Sequence, residues 1–376
     1  MSELNLYYDN AATSFPKPKE VADTMCRYIN ECGGTYGRAA YRRVVDATLL
    51  VEECRDALSE LLNCDSESVF FTHNATHAAN LILRGLDLKK GDIVAVSPLE
   101  HNAIMRPLDF ISKEKGVNYV VMPSFSDGMI DLDKLGHFFE ENKAKMLIVN
   151  HQSNVNGVIQ PLSKICDIAK RWNVQVLVDA TQSIGSVDLD VAKLDVDFLI
   201  FTGHKNLCGP TGVGGAYIKD YTTIKPLILG GTGSNSDSYV MPEHAPDVFE
   251  AGTPNISSIV GLGAALSVEK TCNHTKLDFL DLISDIKILE NVTCFCANDR
   301  KCQGEVFSLT HNTLSVSEFA NKLYKDYKIE VRSGLHCSPL AHKSLETFPS
   351  GTVRFSMSRF HTKDDFIYLL NVIKSI

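Results

Sequence analysis

The sequence predicts an α/β fold built on a mostly parallel sheet. Short runs of β-branched and aromatic residues recur through the first part of the chain, and segments with helical spacing of apolar residues lie between them. This alternation is typical of βαβ units, whose strands run parallel. Polar residues follow most of the strand-like runs. They should therefore gather at the carboxyl ends of the strands, where ligands bind in parallel sheets.

Length and composition are those of an ordinary globular protein. The 376 residues suffice for two domains with a large core, and 44% of them are apolar and 22% charged. A formal net charge of -9 does not favour a nucleic-acid partner, and no apolar run is long enough to cross a membrane. Residues 1–5 show no feature of a signal peptide, and eleven irregularly spaced cysteines favour reduced thiols, so we expect a cytoplasmic protein.

The first strand that the sequence predicts covers residues 69–72 and leads through small polar residues into a helix over 78–86. A loop over 33–38 and an amphipathic helix over 44–62 precede it. Free backbone amides at the helix start, near Thr76, can bind an anion. Ordinary helix capping by the same polar residues is the alternative.

Three further predicted strands lead to polar side chains: residues 92–96 to His101, 146–150 to Asn154, and 174–179 to Asp179 and Gln182. His101 is either a ring that stacks on a flat cofactor or a plain loop histidine. A carboxylate at the end of an apolar strand is costly unless it is paired. Asp179 therefore binds a positive group or caps the next helix.

Lys205 follows the strand-like run 196–200 and precedes residues 209–215, a glycine-rich stretch that predicts a turn. An amine in this position can form a Schiff base with an aldehyde cofactor. A solvated surface lysine is the alternative. A lysine, a carboxylate, a histidine and an anion cradle at neighbouring strand ends favour the first interpretation, and together they describe a site for pyridoxal 5′-phosphate.

The C-terminal part is predicted to form a second domain, which the apolar helix 258–266 leads into. Cys337 lies beside a histidine and near Arg332, where a thiolate is favoured, although it could be a structural cysteine. Arg354 lies in a strand-like run and needs a carboxylate, which an amino-acid substrate would bring. A further cysteine cluster shows no fourth ligand, so we expect free thiols there and no metal: Cys294, Cys296 and Cys302.

Nine pieces of the chain resemble, in order, the motifs of the class V aminotransferase superfamily and, within it, the cysteine desulfurases. The resemblance is to the compact-loop branch, which includes selenocysteine lyases. The matching pieces are 9–13, 74–76, 100–102, 153–157, 178–182, 202–205, 251–255, 332–337 and 353–356.

The resemblance implies the pyridoxal-phosphate transferase fold type I. Such a fold has a large domain with a mostly parallel seven-stranded sheet flanked by helices, plus a smaller α+β domain. We expect an N-terminal segment over 1–20 that packs with the small domain, a large cofactor-binding domain over 21–250, and the small domain over 251–376.

The resemblance also implies roles for single residues. Lys205, Cys337 and His101 are the implied catalytic residues. The implied cofactor contacts are Ala75, Thr76, His101, Asn154, Asp179, Gln182, Thr202, His204, Lys205 and Thr253. Thr253 is expected to come from the neighbouring subunit of a homodimer with shared active sites. The implied substrate contacts are Asn10, Ala11, Asn154, Arg332 and Arg354.

The activity that this resemblance implies is conversion of L-cysteine to L-alanine, with the sulfur held on Cys337 as a persulfide. An acceptor protein would take it for iron–sulfur clusters, tRNA thiolation or other sulfur metabolism. Selenocysteine lyase activity would use the same residues. A transaminase or lyase that does not use Cys337, and a non-catalytic cofactor-binding protein, are the remaining alternatives.

Overall fold

Two β-sheets organise the chain in this computed structural model, which describes residues 4–37 and 39–376. Residues 1–3 of the predicted N-terminal segment, and Arg38 of the predicted loop over 33–38, lie outside the described residues.

The larger sheet, counted over the described residues, has seven strands: β1 (Val69–Thr72), β2 (Ile93–Val96), β3 (Asn118–Val121), β4 (Met146–Asn150), β5 (Gln175–Asp179), β6 (Phe198–Thr202) and β7 (Gly214–Ile218). Their order in space is β1-β7-β6-β5-β4-β2-β3. Strand β7 is antiparallel to both of its neighbours, and the other pairs are parallel. The predicted α/β fold with a mostly parallel seven-stranded sheet is therefore confirmed.

Helices cover both faces of this sheet: α1 (Lys19–Arg27), α2 (Arg42–Leu62), α3 (Ala75–Gly85), α4 (Asn102–Lys115), α5 (Leu132–Asn142), α6 (Leu162–Arg171), α7 (Val191–Leu194) and α8 (Ile256–Ser267). Alternate side chains of the central strands enter two separate apolar clusters, one on each face. Burial on both faces explains why these strands are apolar throughout. Within the described ranges, no helix is both long enough and apolar enough to cross a bilayer.

The smaller sheet is antiparallel, with the order β10-β11-β9-β8, and contains β8 (Val292–Phe295), β9 (Val306–His311), β10 (Arg332–Gly334) and β11 (Thr352–Ser356). Helices α9 (Lys276–Lys287), α10 (Val316–Tyr327) and α12 (Lys363–Ser375) pack with it, whereas the short α11 (Pro339–Ser344) places Leu340 against an apolar cluster of the larger sheet. Phe279, Phe307 and Phe355 are fully buried in the core of the smaller sheet. This mixture of helices and antiparallel strands agrees with the α+β character expected for this part.

The N-terminal segment packs against the smaller sheet. Tyr8 is buried in its apolar cluster, and its hydroxyl donates a hydrogen bond to the carbonyl of Asp365 at 2.9 Å. Helix α8 packs against α1 and α2 and contributes Ile259 and Leu262 to the core of the larger sheet. The domain boundaries stay predictions, and the packing of α8 favours a break after residue 267 over one at 251.

Strand β7 corrects one expectation. Residues 209–215 were expected to form a turn; Thr211 and Gly212 do form one, with Gly212 at φ 82°, but Gly214 and Gly215 begin β7. A Cβ on Gly215 would lie 2.5 Å from the ring of Phe201 and 2.7 Å from the carbonyl oxygen of Phe70. At position 215, glycine is present because neighbouring strand atoms occupy the side-chain position, and not because the chain turns there.

Candidate active site

A cavity opens at the carboxyl ends of β4, β5 and β6 and at the starts of α3 and α4. Nine of the ten residues predicted to contact a cofactor line it: Ala75, Thr76, His101, Asn154, Asp179, Gln182, Thr202, His204 and Lys205. They come from separate stretches of sequence that the parallel sheet brings to one edge.

Lys205 lies in the loop that follows β6. This loop closes tightly: the backbone amide of Gly209 donates to the carbonyl of Gly203 at 2.8 Å, and that of Cys208 to Lys205 at 2.7 Å. Burial, and then the positive charge of Arg354, lower the pKa of Lys205 to about 8. About a tenth of this amine is therefore neutral, and nucleophilic, at pH 7, far more than in an ordinary lysine.

Asp179 is the last residue of β5 and is 2% exposed. One carboxylate oxygen accepts a hydrogen bond from the backbone amide of Thr181 at 2.9 Å. Burial raises its pKa, because the charged form loses contact with water. A buried positive N–H in the cavity would be a suitable partner. Gln182 is held beside it by donating to the carbonyl of Ala11 at 2.9 Å.

His101 caps α4. Its Nδ1 accepts a hydrogen bond from the backbone amide of Ala103 at 3.0 Å, so the proton of the neutral ring lies on Nε2. Burial, and then the charges of Lys205 and Arg354, lower the pKa of His101 to about 4. The ring is therefore neutral at physiological pH.

The start of α3 and the end of β6 together form a polar cradle. Asn74 caps α3 by accepting from the amide of His77, so the helix begins at the cavity, with Ala75 and Thr76 in its first turn. Across the cavity, Thr202 Oγ1 and His204 Nδ1 are buried and have no hydrogen-bond partner among the described residues. Such groups are costly unless something fills the site.

The amide of Asn154 is engaged by the loop that carries Cys337. Its Nδ2 donates to the carbonyl of His336 at 2.9 Å, and its Oδ1 accepts from the hydroxyl of Ser338 at 2.9 Å. The carbonyl of Cys337 accepts from the backbone amide of Asn102, beside His101, at 2.8 Å. The backbone of Cys337 is left-handed, with φ 55°, and its side chain is exposed.

The two arginines predicted to bind substrate share one carboxylate. Asp9 accepts from Nη2 of Arg354 at 2.6 Å and from Nε of Arg332 at 3.1 Å. Arg354 is buried, Arg332 is half exposed, and the Nε of Arg354 has no partner in the described part of the chain. The N-terminal segment is fixed nearby, where Asn10 and Ala11 hydrogen-bond to Ser356.

Thr253 does not line the Lys205 cavity. It is exposed and lies in a separate cavity with Thr72, His77 and Phe249. This position is expected if Thr253 serves the site of another subunit.

Two residues at the site received no role from the sequence. Asp9 belongs to a matching motif, but its pairing with the arginines depends on tertiary contacts. Glu100 is fully buried behind the cavity, and its Oε1 accepts from Ser97 Oγ and from the amide of Asn150, both at 2.7 Å. Burial, and then the charge of Asp179, raise the pKa of Glu100 to about 8. Only its position directly before His101 could have drawn attention to it.

Comparison with known proteins gives consistent matches over nearly the whole chain. A family model described as "Aminotransferase class-V" matches residues 6–369. A protein of Methanothermobacter thermautotrophicus named "Probable cysteine desulfurase" is 31% identical over 381 residues, which cover 98% of this chain and 94% of the relative. A cysteine desulfurase of Escherichia coli is 31% identical, covering 89% and 85%. Among solved structures, the apo cysteine desulfurase from Thermococcus onnurineus has a TM-score of 0.91 at 30% identity, covering 98% and 94%.

Proposed function

Since this chain belongs to the class-V aminotransferase family, we propose that it is a cysteine desulfurase that depends on pyridoxal 5′-phosphate. In this proposal it converts L-cysteine to L-alanine and holds the sulfur on Cys337. The observation that carries the proposal is the common cavity of Lys205, Asp179 and His101, which also contains unpartnered polar atoms of Thr202 and His204.

The residues of the cavity fit the cofactor. The first turn of α3, Thr202 Oγ1 and His204 Nδ1 would hold its phosphate, because backbone amides and neutral donors suit an anion. Asp179 would pair with the ring nitrogen, and His101 would lie over the ring. When bound, pyridoxal phosphate supplies an aldehyde that joins to Lys205 and a ring that withdraws electrons from the bound amino acid.

Lys205 is the group that moves the proton. Its neutral Nζ would take the proton from the Cα atom of the cysteine substrate. Its pKa of about 8 suits this role near neutral pH, since the free amine is available and the ammonium can later return the proton.

Cys337 is the group that receives sulfur. Its thiolate attacks the sulfur of the substrate, the C–S bond of the substrate breaks, and an S–S bond forms. The carbon that loses sulfur takes up a proton and becomes the methyl group of alanine. The carbon is reduced as the sulfur is oxidised, so the step needs no external oxidant.

Arg354 and Arg332 form the proposed site for the substrate carboxylate, with the backbone of Asn10 and Ala11 beside them. Asp9 holds both guanidinium groups in place, and the unpartnered Nε of Arg354 offers a further donor. Asn154 reaches this region through its backbone, whose carbonyl accepts from Nη1 of Arg354 at 3.2 Å. Its side-chain amide supports the Cys337 loop, so we assign Asn154 to loop positioning as well as to the cavity wall.

The proposal also includes a protein that accepts the sulfur and a homodimer with shared active sites. The side chain of Cys337 is exposed, so a sulfur-acceptor protein can reach it. The separate, exposed position of Thr253 favours a homodimer in which this residue completes the partner's phosphate site. We expect the protein to act in the cytoplasm.

Product analysis with three proteins tests the activity. Wild type, Lys205→Ala and Cys337→Ala are incubated with L-cysteine and a reductant, and alanine and sulfide are measured. We expect both products from wild type only. Full activity of Cys337→Ala would instead favour a lyase or transaminase, and activity restricted to selenocysteine would favour selenocysteine lyase.

A further inference from the structure

A second group of reactive side chains lies outside the Lys205 cavity. Cys272 and His274 belong to the loop before α9, and Glu305 directly precedes β9. Each offers one metal-binding atom, and these three atoms lie within 4.8 Å of one another. None of the three residues takes part in the proposed desulfurase reaction. Among the described residues this group, and not the cysteine cluster 294–302, brings three such atoms together.

Hydrogen bonding fixes the tautomer of His274. Its Nδ1 lies 2.9 Å from the carbonyl oxygen of His361, which can only accept, so Nδ1 carries a proton. The lone pair of Nε2 then faces Oε1 of Glu305 at 3.1 Å. Two acceptors at this distance repel each other unless a cation lies between them. That cation is either a proton or a metal ion.

The thiol of Cys272 beside this pair favours a metal ion over a proton. Its Sγ lies against the same ring, 3.6 Å from Nδ1 and 3.9 Å from Nε2 of His274. In a tetrahedral zinc site, bonds of about 2.3 Å to sulfur and about 2.0 Å to nitrogen place these two ligand atoms about 3.6 Å apart, so the exposed thiol has to turn toward the Nε2 side to share an ion with Glu305. The His274 side chain is fully buried and fixed, whereas Cys272 is exposed and Glu305 is 40% exposed, so an ion can enter from solvent.

We propose that Cys272, His274 and Glu305 bind one Zn²⁺ ion, with water as the fourth ligand. A thiolate, an imidazole and a carboxylate are all ligands that zinc accepts, and thiolate disfavours magnesium and calcium. The hydrogen bond from Nδ1 to a backbone carbonyl is the outer contact typical of zinc-binding histidines.

The position of the site gives the ion a structural role. The loop 271–275 runs along 359–361, where the amide of Asn273 donates to the carbonyl of Arg359 at 2.8 Å. A zinc ion here would join this loop to the start of β9. It would thereby fix the segment that leads from α8 into the smaller sheet.

Cobalt substitution tests the proposal on the holoenzyme. The protein is reduced, freed of metal with a chelator and titrated with Co²⁺, and the ligand-field bands are followed at red wavelengths, where the cofactor does not absorb. Wild type should give the intense bands of a tetrahedral site, saturating at about one ion per chain, and Zn²⁺ should displace the cobalt.

Substitutions identify the ligands. Cys272→Ser and Glu305→Gln should weaken Co²⁺ and Zn²⁺ binding at least about 100-fold, while circular dichroism shows an unchanged fold. Cys26→Ser, at another exposed cysteine, is the matched control and should bind as wild type does. The proposal is overturned if wild type shows no tetrahedral spectrum with excess Co²⁺, or if Cys272→Ser retains the wild-type spectrum and affinity.

Discussion

At the scale of single residues, the chemistry of the site depends on burial. Lys205 loses contact with water and faces Arg354, and both effects lower the pKa of its ammonium from 10.5 to about 8. At pH 7 this change makes the neutral amine roughly 300-fold more abundant than in an unperturbed lysine. Burial is also the main reason that His101 and His204 are neutral, because it lowers the pKa of each to about 4.

This pKa predicts how the cofactor-free enzyme captures pyridoxal phosphate. Only the neutral amine of Lys205 attacks the aldehyde, so the capture rate should rise with pH to a plateau, with a midpoint near 8. Stopped-flow absorbance measures the rate. Arg354→Gln should move the midpoint upward, because a positive charge is removed and the carboxylate of Asp9 is released. A midpoint near the ordinary lysine value in wild type would contradict this account.

At the scale of elements, the Cys337 loop is docked onto the start of α4 and onto Asn154. The side chain of Asn154 hydrogen-bonds to His336 and Ser338, the two neighbours of the cysteine, and the backbone amide of Asn102 donates to the carbonyl of Cys337 itself. The Cys337 residue nevertheless stays exposed. A loop held in this way brings its nucleophile to a fixed place at low entropic cost.

Removing one of these contacts should affect the sulfur step alone. Ser338→Ala leaves Oδ1 of Asn154 without its donor, and a lost buried hydrogen bond of about 1.4 kcal/mol corresponds to about 10-fold. We expect persulfide formation to slow by that factor in rapid-quench experiments, with an unchanged cofactor spectrum. Ser333→Ala, at an exposed serine of β10, is the control. Equal rates in Ser338→Ala and wild type would show that the loop needs no such support.

The elements differ in how well the sequence predicts them. Strands β1, β5 and β6 are visible as β-branched and aromatic runs because both of their faces are buried. Strand β7 is not, because Gly214 and Gly215 leave no side-chain pattern, and the reason for glycine lies in Phe70 and Phe201 on neighbouring strands.

The crowding at β7 predicts a loss of stability. Gly215→Ala places a methyl group against the Phe201 ring and the Phe70 carbonyl, so the free energy of unfolding should fall by about 1–3 kcal/mol. Urea denaturation measures it. Gly231→Ala, where a Cβ meets nothing within 4 Å, should have little effect. Equal losses in the two variants would argue against overpacking as the cause.

At the scale of the whole molecule, the site is assembled from three parts of the chain. The larger sheet supplies Lys205 and Asp179, the smaller sheet supplies Arg354, and the N-terminal segment supplies Asp9. Lys205 and Asp179 could be predicted from the sequence, because parallel strands bring their carboxyl ends to one edge of the sheet. Two other contacts could not be predicted, because they depend on packing between distant parts of the chain. Asp9 pairs with Arg354, 345 positions away, and the side-chain amide of Asn154 hydrogen-bonds to the Cys337 loop.

Shared sites in a dimer predict complementation between inactive chains. Lys205→Ala lacks the amine, and Thr253→Asp places a negative charge where the partner's phosphate would bind, so each variant alone should be inactive. When the two chains are co-expressed, half of the dimers are hybrids, each with one intact site, so about a quarter of wild-type activity should return. No recovery, despite hybrid dimers shown by mass spectrometry, would place Thr253 in its own chain's site.

The most direct test of the central claim is the mass of the intact protein after a brief exposure to L-cysteine without reductant. The account predicts that wild type gains one sulfur atom, that peptide mapping places it on Cys337, that a reductant removes it, and that Cys337→Ser gains nothing while keeping its cofactor spectrum. A wild-type protein that makes alanine without gaining sulfur, or a Cys337→Ser protein that gains it equally, would contradict the account.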